Sequence, residues 1–108
     1  MTLKEILDRC QKLQIHEVRS ENEEYYEIVI YNKDIDEWNR VLTGLLGPAR
    51  KPRGVEPTDA DLSLTKASGG IRVNQTLFES EFHNGTIVAK FWPWEDDIHT
   101  TLKMALLA

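Results

Sequence analysis

The chain has 108 residues, 41% hydrophobic and 29% charged, the usage of one globular domain rather than of a disordered segment. Its formal charge of −5, from 13 Lys and Arg against 18 Asp and Glu, argues against general nucleic-acid binding, which needs a basic face to displace counterions. No run approaches the ~18 apolar residues of a membrane span, the start Met1-Thr2-Leu3-Lys4-Glu5 has no apolar signal core, and the single cysteine, Cys10, excludes an internal disulfide framework. These features predict a cytoplasmic protein with neither membrane nor nucleic acid as partner.

Thr2-x-x-Glu5 has the form of a capping box, in which a hydroxyl and a carboxylate satisfy the first free amides of a helix. Leu3, Ile6, Leu7, Cys10 and Leu13 follow on one stripe, with Lys4, Asp8, Gln11 and Lys12 on the other side, so a helix is expected over 2–14. Cys10 sits mid-stripe and reads as a small buried hydrophobe. Glu24–Asn32 is rich in β-branched and aromatic residues and reads as a strand, with Ile15–Ser20 as a short partner turning at Glu21-Asn22-Glu23. In the next segment Ile35, Trp38, Val41, Leu42, Leu45 and Leu46 fill one helical face, and Gly47-Pro48 stops the helix. Trp38 is thereby assigned to the core.

Residues 47–58 hold three of the four prolines and predict a long loop. Residues 59–68 support two readings. Thr58-x-x-Asp61 would cap a short helix, whereas Leu62 and Leu64 alternate with Ser63 and Thr65 as in a strand. We favour the strand, at 61–66, turning at Ser68-Gly69-Gly70. Asn84-Gly85 is a strong hairpin signal. A two-residue loop there pairs Phe82 with Ile87, Ser80 with Ala89 and Phe78 with Phe91 on one apolar face. On the other face Glu79 meets Lys90 as a solvent-side ion pair and Leu77 meets Trp92. Pro93 should weaken pairing or mark an edge. Asp96-Asp97 reads as the start of a last helix running to the C-terminus, its stripe Ile98, Leu102, Ala105 and Leu106, with Met104 and Leu107 on roughly the opposite side.

The resulting class is α+β: a single antiparallel sheet of three to five strands with amphipathic helices packed on it. Its element order, α-β-β-α-β-β-β-α, resembles the profilin-like or roadblock-like arrangement in order alone, and that resemblance implies no activity.

Two surfaces are candidates for function. Arg50, Lys51 and Arg53, with Gly69 and Gly70 as a backbone cradle, suit an anionic small molecule, because guanidinium forks match phosphate and carboxylate. Trp92 and Trp94 beside Met104 and Leu107 suit a contact surface for a second copy or another protein, since tryptophan buries much area at low entropy cost. His16, His83 and His99 lack local metal-ligand spacing, and no serine or cysteine has a nucleophile setting. The expectation is therefore no catalytic residue, metal or cofactor. A self-associating interaction module, most simply a homodimer, is the first functional expectation, and an anion-binding domain the alternative.

Overall fold

The computed structural model describes residues 1–10 and 12–107, so Gln11 and the last residue of the expected C-terminal helix lie outside the described residues. Three helices, α1 (Leu3–Arg9), α2 (Ile35–Leu46) and α3 (Asp59–Thr65), accompany five strands: β1 (Ile15–Glu21), β2 (Tyr25–Tyr31), β3 (Thr76–Phe82), β4 (Gly85–Pro93) and β5 (His99–Leu107). The strands form one antiparallel sheet in the order β1-β2-β5-β4-β3. The α+β class stands as expected. Among the described residues no helix is long and apolar enough to cross a membrane.

The capping box forms as read: Glu5 N–H donates to Thr2 Oγ1 at 3.1 Å and Thr2 N–H to Glu5 Oε1 at 3.2 Å. The helix ends at Arg9, shorter than expected, and Cys10 is its buried C-terminal cap. Gly47 closes α2 at φ +88°. These two helices bury Leu3, Ile6, Trp38, Leu42 and Leu46 against the inner face of the sheet, which contributes Tyr26, Ile28, Ile30, Phe78, Ile87, Ala89, Phe91, Leu102 and Met104. Trp38 is fully buried, and its indole N–H finds no acceptor among the described residues.

Three expectations are corrected. Residues 59–65 are helical, not a strand. The Thr58/Asp61 capping box is closed, and α3 turns Leu64 down onto Ile71, Leu77 and Val88 on the outer face. The C-terminal segment is the central strand of the sheet, not a helix. Asp96 accepts the Ile98 and His99 amides at 2.9 and 3.0 Å, and Asp97 takes a left-handed φ of 59°, so the chain reverses tightly into β5 where a helix was expected to start. Leu102 and Met104 then point inward by strand alternation. The last described element is therefore a strand, and the profilin-like or roadblock-like element order does not hold.

The third correction concerns register. The β3–β4 hairpin is offset by two residues from the expected pairing: Phe82 pairs with Gly85, Ser80 with Ile87 and Phe78 with Ala89. His83 and Asn84 form the turn, and Gly85 takes the positive φ of 135°. Because strand periodicity is two, this offset leaves every side chain on its expected face. Phe78 and Phe91 meet edge-to-face at 6.0 Å. Pro93 is the last paired residue of β4, which is an interior strand.

At the borders of the sheet, β1 pairs with β2 through two register irregularities, and Lys51 bridges Leu77 outside β3.

Candidate functional site

The expected anion site is dispersed by the fold. The Arg50 guanidinium donates to Asp61 at 2.6 Å and to Glu79 at 2.7 Å, locking the loop to α3 and β3. Lys51 is 1% exposed, and its ammonium donates to the carbonyls of Pro52, Val73 and Gln75 at 2.9, 3.2 and 2.5 Å. Burial lowers its pKa. It is a cross-link between loop segments rather than a surface cation. Arg53 is exposed and borders a different cavity, with Asn32, Asn39 and Asn74. Gly69 and Gly70, at φ +95° and +81°, pack instead against Trp92 and Lys90.

The four residues expected at a contact surface are divided between the two faces of the sheet. Met104 is fully buried in the inner core, because strand alternation replaces the helical stripe that placed it outside. Leu107 is exposed, and Trp92 and Trp94 are half-buried on the outer face. Trp94 belongs to a ring stack. Its N–H donates to Thr101 Oγ1 at 2.8 Å, Arg19 lies 5.0 Å over its ring, and His99 lies 5.0 Å away. His99 in turn bonds Asp96 at 2.6 Å and sits 4.5 Å from His16, which bonds the Tyr31 hydroxyl at 2.8 Å. Hydrogen bonding from His99 holds the Asp96 carboxyl down at about 2. Among the described residues no group of three or more His, Cys, Asp or Glu side chains is arranged to hold a metal.

Trp92 organises a second, cationic cluster that the sequence did not disclose. The Lys103 ammonium lies 4.3 Å from its ring centroid, that of Lys90 5.1 Å and the Arg72 guanidinium 5.8 Å. Lys90 and Lys103 are direct cross-strand partners, in a row that runs Glu27, Lys103, Lys90, Leu77 across the sheet. Lys90 is 1% exposed and donates to the Gly70 carbonyl at 2.5 Å. Burial, and then the charge of Lys103, bring its pKa down to about 8 against the opposing pull of Glu27. Tyr25 donates to Glu27 at 2.7 Å.

Both lysines line a cleft of about 360 Å³ whose apolar walls are Tyr25, Leu64, Ala67, Val88, Ala105 and Leu107. The volume lies in the range of small-molecule sites, which combine apolar walls with a few convergent polar groups. Sequence reasoning missed the pair for two reasons. Lys103 was assigned to a helix, and the expected register set Lys90 opposite Glu79, an ordinary solvent-side partner. The legible signal was the alternation of Thr101, Lys103, Ala105 and Leu107, which identifies the outer face once the segment is read as a strand.

No protein-family model, curated protein or solved structure matches the chain.

Proposed function

We propose that this chain is a binding module for a small carboxylate with an aliphatic or aromatic body, held in the cleft between α3 and the outer face of β4 and β5. The observation that carries this reading is the Lys90–Lys103 pair. Like charges directly opposite in a sheet are destabilising, and here they stand on adjacent interior strands beside an apolar cavity. A bound carboxylate would offset that repulsion, and the apolar walls would take the rest of the ligand. The test compares octanoate with octan-1-ol by thermal unfolding, since a ligand that binds only the folded state stabilises by mass action. Octanoate should raise the Tm and octanol should do so far less, and Lys103→Gln should remove the difference. Equal shifts from acid and alcohol, or an unchanged response in Lys103→Gln, overturn the reading.

Self-association through the same face is the second reading, supported by half-buried Trp92 and Trp94 and exposed Leu107. A symmetric dimer would cover all three. Sedimentation velocity decides it: a monomer at high micromolar concentration removes this reading and leaves the first untouched.

A further inference from the structure

We infer that Lys90 forms an imine with the carbonyl carbon of a 2-oxo carboxylate bound in the cleft, while Lys103 holds the carboxylate. This rests on the reading of the cleft as a carboxylate site and specifies its ligand. A lysine becomes a nucleophile when desolvation or a neighbouring cation disfavours its ammonium form, and Lys90 meets both conditions. It is 1% exposed and lines the cleft beside Lys103, so a ligand that fills this space lies against it. Lys51 is equally buried but does not line this cleft, its ammonium bonding the carbonyls of Pro52, Val73 and Gln75 instead, which makes it an internal control.

The step is balanced and needs no oxidant. The neutral amine of Lys90 adds its lone pair to C2 of the oxo acid as the C=O π pair moves onto oxygen, and a proton passes through solvent water from that nitrogen to the oxygen to give a carbinolamine. Loss of that hydroxyl, protonated, as water leaves a C=N bond, and hydrolysis reverses it. The Lys103 ammonium remains paired with the carboxylate throughout.

The experiment incubates the full chain with 2-oxooctanoate, reduces with sodium borohydride and maps the adduct by peptide mass spectrometry. One adduct per chain is expected, on Lys90, with exposed lysines such as Lys4 and Lys33 labelled at least about ten-fold less. Labelling should be half-maximal near pH 8 and move to higher pH in Lys103→Gln, because removing the neighbouring charge favours the ammonium of Lys90. Lys90→Met should give no adduct. An adduct spread evenly over the lysines, or none while octanoate still raises the Tm, overturns the imine and leaves the carboxylate reading standing. A Lys90 adduct without any octanoate effect supports the imine and overturns the carboxylate reading.

Discussion

Replacing Lys90 by methionine should stabilise the protein at neutral pH, which is the reverse of what truncating a buried interior side chain does. The reasoning is electrostatic. Burial and Lys103 bring the Lys90 pKa from 10.5 to about 8 in the folded chain. At about 1.4 kcal/mol per pH unit, keeping the ammonium charged at pH 7 costs about 3 kcal/mol. Methionine fills a similar volume and carries no charge, but it abandons the hydrogen bonding of the lysine nitrogen, the bond to the Gly70 carbonyl included, a loss of about 1–2 kcal/mol. The net gain is therefore about 1–2 kcal/mol at pH 7. Its pH dependence is more diagnostic than its size. Below pH 8 the ammonium is charged in folded and unfolded chains alike, so the full penalty is present. Between pH 8 and 10.5 the unfolded chain binds more protons than the folded one, so wild-type stability rises with pH relative to the variant, and the advantage fades. Urea denaturation of both proteins from pH 7 to pH 10, read by circular dichroism, measures the difference free of groups common to both. Adding Lys103→Gln completes a double-mutant cycle, in which the two stabilisations should fall short of additivity by about 1 kcal/mol. A Lys90→Met variant less stable than wild type at pH 7, or a gap that stays constant to pH 10, would refute the argument.

Three further outcomes follow from the packing. Gly85→Ala should lose about 2–4 kcal/mol in the same denaturation assay, because φ is +135° there and a Cβ would collide with the Leu107 carbonyl oxygen. Arg50→Ala should cost about 3 kcal/mol at pH 7, since it strands the buried Asp61 carboxylate. Burial raises the Asp61 pKa, but the Thr58 amide and the Arg50 guanidinium outweigh it and hold the pKa low. The stability from Asp61 is thus lost as pH falls through that depressed value, and acid unfolding of Arg50→Ala should shift to higher pH. Trp38→Phe should cost less than about 1.5 kcal/mol, because the area lost is partly offset by removing an indole N–H that has no acceptor among the described residues. A loss above 3 kcal/mol would mean that this N–H is satisfied.

Element identity was legible wherever local chemistry and packing agreed. Thr2/Glu5, the α2 stripe and Gly47 describe the same helices in sequence and in space, and the apolar face of the β3–β4 hairpin was assigned correctly. Where the two conflicted, the sheet decided. His99–Leu107 contains Leu, Lys, Met and Ala, all good helix formers, yet its alternation also suits a strand, and placement between β2 and β4 selects the latter. The adjacent β-branched Thr100 and Thr101 were the local hint. Register escaped for a subtler reason. Asn84-Gly85 points to a turn with positive φ at both residues, but here only Gly85 adopts it, moving the turn back to His83-Asn84. The candidate site was the least legible part. Arg50 and Lys51 look free in sequence and are tied down by residues distant along the chain, whereas Lys90 and Lys103 become neighbours only through the β4–β5 pairing.

The two borders of the sheet have a consequence for how this protein tolerates crowding. An unpaired strand margin is a template on which another chain can extend the backbone ladder, the first step toward fibrillar stacking. The β1 margin is bent by its two irregularities and carries Glu17, Arg19 and Glu21, while the β3 margin is occupied at Leu77 by Lys51. Among the described residues, neither margin therefore offers its full length as a straight, open rim to another copy of the chain.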